Sequence, residues 1–589
     1  MSDVEQREQT PLDILRHSTA HVMAKAVQRL YPGSMLGIGP PIENGYYYDI
    51  DVAGHQLSED DFAAIEAEMR RIIAADEPFV RREVPRDAAI AENQARGEKY
   101  KVEIVQDLPE GEVTSFYDTG SDWTDLCRGP HVPSTSHIHA FKLLSVAGAY
   151  WRGDEKRPML QRLYGTAWPS QDELDQYLER LEEARRRDHR RIGRDLNLFT
   201  FSDLVGPGLP LWLPKGATIR RELERYVTDL ELRRGYQHVI TPDVAKVDMY
   251  KTSGHWAHYQ DAMFPVMHHD EEELVLRPMN CPHHIQIYRH EQRSYRELPL
   301  RLAEFGTMWR YEKSGELSGL SRVRRMDLND AHIFCTPEQI EDEIVGVVQL
   351  IEQIYDVLGI RDHWYRLSLW DPNDKEKYVD NPEMWERGEL YLKDAMGRLG
   401  LEYVEAPGEA AFYGPKIDIQ LRDPLGHSET ISTIQVDFHL PNQFQLEYVG
   451  EDGKFHQPVM VHRGVIGTLV RMIAYLIEKY AGAFPVWLAP VQVVAIPIAD
   501  RHLEYAEQVK AELMEYDIRV EVDSRRDRMQ NKIRQAEHQR IPYILVMGDR
   551  DAQGGTVSVR ERGVGDLGAM DRAAFLERVR EERDRRIAK

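Results

Sequence analysis

Three residues of this chain, Cys281, His332 and His462, have side chains that suit a catalytic zinc site. One thiolate and two imidazoles are common zinc ligands, and a site with three protein ligands keeps a fourth position open for a substrate. A buried cysteine or histidine taken singly is more often structural, so the hypothesis depends on the three residues together. The sequence therefore predicts a metal that contacts a substrate, not one that only stabilises a fold.

A second group of such side chains lies near the N-terminus. His17 and His21 are four residues apart, which places them on one face of a helix. Cys127 and His131 have the same spacing. Judged from the residues alone, these four side chains form a second candidate zinc site.

Two arginines are candidates for contacts with phosphate groups. Arg310 lies in MWRYE (308–312), and arginine can bind phosphate through two parallel hydrogen bonds. Glu312, two residues later, could orient that arginine or accept an amine. Arg471 follows a glycine at the start of a predicted helix, in GTLVR (467–471). An arginine and a glutamate two residues apart are common in proteins, so the pair is informative only in its context.

These residues must be positioned by a chain of 589 residues, which is long enough for three or four domains. Residues 1–190 begin with a predicted amphipathic helix over 11–30 and end in a charged linker helix. Residues 191–487 mix long helices with β-rich stretches. Residues 488–589 alternate strands with helices, which is typical of a small α/β domain. We therefore expect three units with these boundaries.

The composition is typical of a large cytoplasmic enzyme. The chain is 42% hydrophobic and 30% charged, and it contains no run of about 18 apolar residues that could span a membrane. Its first residues are acidic and polar, unlike a secretory signal. Three cysteines cannot build a disulfide framework, which fits a reducing cytoplasm.

The formal net charge of −24 argues against a protein that coats nucleic acid without specificity. A local basic groove remains compatible with this charge. The basic run over 184–191 is either a solvated helix face or a contact with an RNA backbone, and the sequence leaves both interpretations open.

Several segments together resemble the class II aminoacyl-tRNA synthetases. The segments around Pro242, Arg310 and Arg471 stand in the order of motifs 1, 2 and 3 of that class. The resemblance runs from about residue 12 to beyond residue 570. Four further segments narrow it to the threonyl-tRNA synthetase family: RPMNCPHH (277–284), DAHIFC (330–335), FYGPKID (412–418) and STIQVDF (432–438).

The resemblance implies a multidomain α+β fold. It would consist of an N-terminal α+β editing domain, a class II catalytic core built on an antiparallel sheet, and a C-terminal α/β anticodon-binding domain. The implied activity is that of a threonine–tRNA ligase, which activates threonine with ATP and transfers it from threonyl-adenylate to tRNA(Thr). The implied partners are threonine, ATP with Mg²⁺, tRNA(Thr) and a second copy of the chain, joined through motif 1.

The same resemblance assigns roles in the catalytic domain. One Zn²⁺ per subunit would be held by Cys281, His332 and His462, and would bind both the amine and the hydroxyl of threonine. The remaining residues implied are Asp330 and Tyr413 for threonine; Arg310, Glu312, Arg322, Met326 and Arg471 for ATP; and His255 and Lys416, with Arg310, for catalysis. His255 would assist the transfer to tRNA, although a structural histidine is the alternative.

Serine creates the need for a second site. It differs from threonine by one methyl group, which a pocket discriminates by only ~10–200-fold. A hydrolytic editing site for seryl-tRNA(Thr) is therefore expected in the N-terminal unit. The resemblance implies that this site works with positioned water and without zinc, and we favour that interpretation of His17, His21, Cys127, His131, Tyr48, Lys101 and Asp125.

Some positions depart from the familiar pattern of the family. Met326 stands where an aromatic side chain usually stacks on adenine, while Leu328 and Thr430 stand where glutamines are familiar. In the C-terminal domain, Asp551 and Arg560 match base-reading positions, but Arg526 replaces a familiar asparagine. These departures are compatible with an ordinary branch of the family or with altered activity.

Two other functions compete with the ligase. A related protein could keep the fold for RNA binding and no longer charge tRNA. An unrelated zinc hydrolase would also use the cysteine and histidines, but it would leave Arg310, Arg471 and the C-terminal domain without a role.

Overall fold

A computed structural model describes residues 10–109, 111–422, 426 and 428–588. The chain divides into two compact units, which meet in sequence between Glu182 and Glu183. The second unit contains both the segment predicted as the catalytic domain and the one predicted as the C-terminal domain. The boundaries near residues 190 and 487 stay predictions.

The first unit begins with the predicted helix, α1 (Pro11–Leu30). Thr10 and Asp13 start it with reciprocal hydrogen bonds between side chain and backbone, and Pro11 occupies the first helical position. The helix packs against α2 and against one face of an antiparallel sheet. The elements that follow are β1 (Gly45–Asp51), α2 (Phe62–Ala74), β2 (Phe79–Pro85), α3 (Arg86–Arg96), α4 (Lys99–Gln106), β3 (Val113–Thr119), β4 (Trp123–Leu126), β5 (Ala140–Tyr150) and β6 (Met159–Trp168).

Two sheets form this unit. In one, β1, β6 and β5 are neighbours, and two-residue strands at 35–36 and 41–42 extend it on the β1 side. In the other, β2, β3 and β4 pair antiparallel. The short strand β4 ends at Leu126, so Cys127 follows directly after it.

The charged segment over 170–194 is two helices where we expected one. The structure has α5 (Gln171–Arg187) and α6 (His189–Asp195), separated by Asp188. The carboxylate of Asp188 accepts a hydrogen bond from the Arg190 backbone at 2.7 Å. Aspartate is a strong N-cap because it satisfies a free N–H of the first turn, so this residue starts a new helix.

An eight-stranded sheet, almost entirely antiparallel, is the centre of the second unit. Its longer strands are β10 (Leu300–Trp309), β11 (Arg325–Cys335), β12 (His363–Leu369), β13 (Tyr403–Pro407), β14 (Lys416–Arg422), β15 (Ser428–Asp437) and β16 (Val459–Thr468). The two-residue strand at 237–238 pairs parallel at one edge, and β13 pairs parallel at the other. The order between these edges is β10, β11, β16, β15, β14 and β12.

Amphipathic helices cover one face of this sheet and form its largest core. The helices that contribute buried residues to that core are α7 (Pro214–Arg233), α10 (Ile340–Val357), α11 (Pro382–Leu399) and α12 (Leu469–Lys479). The smaller elements before the sheet are β7 (Val244–Lys246), α8 (Val247–Thr252), a short helix at His255–Tyr259, β8 (Met267–His269), β9 (Glu272–Leu276) and α9 (Cys281–Arg289).

The C-terminal part has the predicted alternation of strands and helices. Its five-stranded sheet has the order β18, β17, β19, β20, β21, with parallel pairing up to β19 and antiparallel pairing beyond it. Its elements are β17 (Val493–Pro497), α13 (Leu503–Met514), β18 (Val520–Val522), α14 (Met529–His538), β19 (Tyr543–Met547), α15 (Asp549–Gly554), β20 (Thr556–Glu561), β21 (Gly565–Asp571) and α16 (Arg572–Asp584).

Within the described residues, none of the helices combines the length and the apolar character that crossing a membrane requires.

Candidate functional site

One row of the eight-stranded sheet carries several of the predicted residues. His332 on β11 stands directly opposite His462 on β16. His462 in turn stands opposite Gln435 on β15, and Gln435 opposite Lys416 on β14. Residues opposed across antiparallel strands project from the same face. Strand pairing therefore brings together side chains that are far apart in sequence.

Cys281, the first residue of α9, completes the group at this row. Its sulfur lies 3.5 Å from His462 Nδ1, and one ligand atom from each of Cys281, His332 and His462 lies within 4.8 Å of the others. A tetrahedral zinc with bonds of about 2.3 Å to sulfur and 2.0–2.1 Å to nitrogen would separate these two ligand atoms by about 3.5 Å. The separation of Cys281 Sγ and His462 Nδ1 therefore fits zinc.

The other ring nitrogens of both histidines are already occupied. His462 Nε2 donates to Asp437 at 2.8 Å, and His332 Nδ1 lies 2.8 Å from His284 Nδ1. Metal-binding histidines are usually oriented by such a bond through the second nitrogen. His332 Nε2 is buried and has no hydrogen-bond partner among the described residues, and the Asp330 carboxylate lies 4.0 Å from it. The buried unpartnered nitrogen and the oriented rings are what a metal ligand set requires.

The charges around Cys281 also favour a cation. Burial, followed by the carboxylates of Asp330 and Asp437, raises the pKa of the Cys281 thiol well above its ordinary value. Asp330 lies on β11 two residues before His332 and so shares its face. Asn280 donates to the Asp330 carboxylate at 3.1 Å, and burial raises the pKa of Asp330.

Arg310 and Arg471 have the surroundings expected of anion-binding residues. Arg310 Nη2 contacts the sulfur of Met279 at 3.3 Å, and Arg471 donates to the carbonyls of Ser321 and Thr430 at 3.3 and 3.4 Å. In the described parts of the chain, neither guanidinium has a carboxylate within ion-pair distance. Burial, together with the positive charge of Arg471, lowers the pKa of Arg310. Two neighbouring arginines without carboxylate partners suit a phosphate chain.

Glu312 pairs with a different arginine from the one that we considered. Its carboxylate lies 2.8 Å from Arg322 Nη2, while its backbone carbonyl accepts from Arg324 at 2.9 Å. Glu312 therefore orients Arg322, not Arg310. Sequence spacing could not reveal this, because the chain turns between residues 312 and 322.

His255 is fully buried, and its two ring nitrogens differ in their contacts. Its Nδ1 lies 2.8 Å from Ser253 Oγ, while Nε2 has no partner among the described residues. Burial is the main reason why the pKa of His255 falls to about 3, so the ring is neutral near pH 7. Tyr413 lies beside it and donates to Gln435 at 2.7 Å.

Lys416 is held by a carboxylate network. Its ammonium group bonds to Asp418, which also accepts from Arg366 at 2.9 Å and from Ser368 at 2.8 Å. The positive charge of Lys416 is thus already partly balanced.

Met326 and Leu328 lie on the same face of β11 as Asp330, because residues two apart on a strand share a face. Thr430 on β15 accepts from Gln420 at 2.5 Å through its hydroxyl, and its carbonyl accepts from Arg471. Met326, Leu328 and Thr430, which depart from the family pattern, therefore all lie on the strands that form the site.

Sequence reasoning missed four residues that orient the site: His284, Gln435, Asp437 and Asn280. All four lie within the motifs RPMNCPHH and STIQVDF, which is the only sequence signal they carry. Their roles depend on strand register and on contacts between distant segments.

The N-terminal group of four also comes together. His17 and His21 lie on α1, and their rings are 5.3 Å apart. Cys127 Sγ lies 3.3 Å from both His17 Nε2 and His131 Nε2. Ser18, which the sequence analysis did not select, orients His131 through a 3.1 Å contact with Nδ1.

A buried lysine distinguishes this pocket from the first site. Lys101 Nζ lies 2.8 Å from Asp125 and 3.0 Å from the Tyr48 hydroxyl, and Tyr48 also bonds to Asp125. Burial lowers the pKa of His17 to about 4, with Asp125 raising it and Lys101 lowering it further. The four ligand atoms of His17, His21, Cys127 and His131 lie within 4.8 Å of one another, close enough for a metal ion, while the ammonium of Lys101 repels a cation and is balanced in part by Asp125.

The two predicted base-reading residues lie on one face of the C-terminal sheet. Arg560 follows Ser558 by two residues on β20, and Ser558 contacts Asp551 at 3.1 Å. The Asp551 carboxylate is buried, and it also accepts from the Gly548 backbone at 3.0 Å and from Thr556 at 3.2 Å. Its oxygen atoms are thus used within the chain.

A cavity of about 420 Å³ lies at the ends of β17 and β18. Its lining includes Arg526, Arg528 and Lys532, but neither Asp551 nor Arg560. Arg526, which replaces the familiar asparagine, therefore lines an open cavity that has four basic and two acidic side chains.

Comparison with protein families identifies all three parts of the chain. The tRNA synthetase class II core domain (G, H, P, S and T) matches residues 264–480, and the anticodon-binding domain matches residues 492–582. The threonyl and alanyl tRNA synthetase second additional domain matches residues 114–164. These matches confirm the predicted multidomain α+β architecture.

Close relatives extend over nearly the whole chain. The threonine–tRNA ligase of Anoxybacillus flavithermus is 56% identical over 572 residues, which cover 97% of this chain and 89% of the relative. That of Geobacillus kaustophilus is 56% identical over 579 residues, or 98% and 88% of the two chains. A solved structure of the RNA binding domain of threonyl-tRNA synthetase from Cryptosporidium parvum covers 67% of this chain and 98% of its own, with a TM-score of 0.64 and 37% identity. The chain therefore belongs to the threonyl-tRNA synthetase family.

Proposed function

We propose that this threonine–tRNA ligase selects its amino acid through a zinc ion held by Cys281, His332 and His462. The observation that carries the proposal is the directly opposed pair of histidines with the thiol beside them. A zinc ion bound there would offer an open position to the amine and hydroxyl of threonine. Asp330 would accept a hydrogen bond from the hydroxyl. Valine, which has no hydroxyl, would leave that carboxylate unsatisfied and be rejected.

Activation of threonine would take place beside the two unpaired arginines. The threonine carboxylate attacks the α-phosphate of ATP, and pyrophosphate leaves. Arg310 would stabilise the negative charge that develops on the phosphate, and Arg471 would hold a second part of the nucleotide. Arg322, oriented by Glu312, and Met326 would complete the ATP site, and Mg²⁺ would accompany the phosphates.

His255 would accept a proton during transfer to the tRNA. The terminal ribose hydroxyl of tRNA(Thr) must lose a proton as it attacks the adenylate. The unpartnered Nε2 of His255 supports that role, whereas its pKa of about 3 makes the ring a weak base until the bound substrates change its surroundings. Tyr413 would line the threonine pocket, and Lys416 would contact the adenylate or the tRNA end.

Seryl-tRNA(Thr) would be hydrolysed in the N-terminal pocket without a metal. The residues His17, His21, Cys127 and His131 would surround the ester, and the group formed by Tyr48, Lys101 and Asp125 would position a water molecule. The ammonium of Lys101, which lowers the pKa of both His17 and His21, supports this metal-free interpretation, while Asp125, 2.8 Å from Lys101, balances part of its charge.

The C-terminal part would bind the anticodon. Arg560 is half-buried, and a base would replace or share its 3.5 Å contact with the Asp566 carboxylate, while Asp551 would fix the turn that supports it. We also propose the domain boundaries 1–190, 191–487 and 488–589, and a cytoplasmic location, which the free thiols of the three cysteines support.

A second copy of the chain would cover an apolar surface in the second unit. Ile240 beside motif 1 is 98% exposed, Leu204 is fully exposed, and Leu211 and Val205 are also exposed. Ile240 lies two residues before Pro242 of motif 1, through which the resemblance implies that two copies join, so its exposed side chain supports an interface there. We therefore propose a homodimer formed through this surface.

Threonine-dependent exchange of pyrophosphate into ATP tests the proposed function. With zinc-replete protein we expect exchange with threonine, weaker exchange with serine, and at least 10³-fold less with valine. Asp330→Asn should reduce the preference for threonine over valine. Absence of exchange with threonine would favour the competing hypothesis of an RNA-binding relative that no longer charges tRNA.

A further inference from the structure

The loop between β10 and β11 ends in a tight turn over residues 318–322. Ser318 donates its backbone N–H to the carbonyl of Arg322 at 3.1 Å, and Ser321 donates to the carbonyl of Ser318 at 2.9 Å. Leu320 at the centre of the turn is fully buried. The turn carries Arg322, one of the proposed ATP-binding residues, so its position matters for the nucleotide site.

Helix α12 holds this turn at two points. Arg471 donates to the Ser321 carbonyl at 3.3 Å. Glu478 lies seven residues further along α12, which is two helical turns and therefore the same face. Glu478 reaches the turn indirectly, because its carboxylate lies 2.7 Å from Nδ1 of His189. His189 Nε2 in turn accepts the backbone N–H of Leu320 at 3.0 Å.

The two contacts fix the chemical state of His189. Since Nε2 accepts a hydrogen bond, it carries no proton, and the proton must lie on Nδ1, which donates to Glu478. The side chain is only 5% exposed. Asp188, His189 and Glu478 could also be taken for metal ligands. However, both ring nitrogens of His189 are already used by the protein, so the ring acts as a bridge.

Gly319 is shaped to receive this ring. A Cβ atom at residue 319 would lie 2.2 Å from His189 Nε2, and the backbone of Gly319 has a φ of +47°. Only glycine combines that backbone conformation with room for the imidazole. The turn and the histidine thus fit each other closely.

We propose that His189 is a positioning residue for the ATP site. It ties the turn over residues 318–322 to α12 through Glu478, and so keeps Arg322 and Arg471 at a fixed separation. His189 does not touch the nucleotide. Its loss releases the turn and weakens the binding of ATP, while the threonine site, built on β11, β16 and α9, keeps its geometry. This inference rests on the proposed roles of Arg322 and Arg471 in binding ATP.

Steady-state pyrophosphate exchange on the full-length protein tests the proposal. We expect His189→Ala and Glu478→Ala each to raise the KM for ATP about tenfold and to change the KM for threonine less than twofold. Glu478→Gln should remain near wild type, because the amide oxygen still accepts from Nδ1. Hydrogen exchange of the peptide that contains Leu320 should be faster in both alanine variants.

His363→Ala is the matched control. His363 also forms a 2.7 Å contact with a carboxylate, that of Glu352, but on β12 and α10, away from the turn. This variant should leave the KM for ATP unchanged. Gly319→Ala should raise the KM for ATP in the wild-type background. The same substitution should raise it less in the His189→Ala background, because the imidazole that the new Cβ would contact is then absent.

Three results would overturn the proposal. The first is a KM for ATP within twofold of wild type in both alanine variants. The second is an equal rise in the KM for ATP and for threonine, which indicates a general structural role. The third is an effect of His363→Ala as large as that of His189→Ala. If His189→Ala does not fold, the comparison of Glu478→Ala with Glu478→Gln decides. Wild-type protein without threonine-dependent exchange would instead contradict the proposed function.

Discussion

His332 and His462 stand directly opposite each other on neighbouring antiparallel strands, with 2.8 Å contacts to His284 and Asp437 behind them. The register of β11 and β16 sets the separation of the two imidazoles. Because a slip by one residue would turn one ring to the other face of the sheet, the candidate metal site depends on this register.

Asp437 is expected to strengthen zinc binding through His462. Asp437→Asn should lower zinc affinity by about 10–100-fold, because the carboxylate orients the ring and raises its basicity. Competition with a chelator measures this affinity without reference to activity. Asp452→Asn, which changes an exposed histidine–carboxylate pair with His456, is the control and should have no effect. Equal affinities in Asp437→Asn and wild type would contradict the assigned role.

Lys101 is expected to act in editing alone. Lys101→Met removes the ammonium that holds Asp125 and the Tyr48 hydroxyl. Hydrolysis of seryl-tRNA(Thr) should fall by at least tenfold, while threonine-dependent exchange should stay unchanged. Lys99→Met, which alters an exposed lysine two residues away, serves as the control. Normal hydrolysis by Lys101→Met would show that the buried lysine has no part in editing.

His17 should make the protein less stable in acid. Its pKa is about 4 in the folded chain, against 6.5 ordinarily, so the unfolded chain binds the proton more strongly. The contribution of His17 to stability is therefore complete above pH 6.5 and is lost as the pH falls towards 4. Thermal unfolding of His17→Gln should depend less on pH between 7.5 and 5 than that of wild type. If thermal unfolding of His17→Gln depended on pH as strongly as that of wild type, or more strongly, the predicted direction of the effect would be wrong.

Ile240 is expected to lie in the interface between two copies of the chain. Ile240→Asp places a charge on the apolar surface and should convert a dimer to a monomer in analytical ultracentrifugation. Val404→Asp changes another exposed aliphatic residue, on the edge strand β13, and should leave the dimer intact. A wild-type monomer, or a dimer that tolerates Ile240→Asp, would exclude this interface.

The sequence was most informative where local patterns decide the structure. Helix α1 has its own capping residues. The strands and helices that alternate after residue 490 have lengths and an order typical of an α/β domain. Cys281, His332 and His462 could be proposed together because their types suit one metal and their segments resemble one family.

The remaining parts depend on contacts between distant segments. Asp437, His284 and Gln435 act only because β11, β15 and β16 pair in one register, which no local pattern specifies. Glu312 pairs with Arg322 because of a turn between them. Composition alone predicts one continuous helix where the structure has two helices separated at Asp188. This break places His189 against Glu478.

The zinc content of the purified protein tests the central claim most directly. Elemental analysis of protein prepared with zinc should give one zinc per chain for wild type and for Cys127→Ala, and none for Cys281→Ala. Zinc retained in Cys281→Ala, or absent from wild type, would contradict a metal held by Cys281, His332 and His462. Two zinc ions in wild type, with one lost in Cys127→Ala, would contradict the metal-free editing pocket.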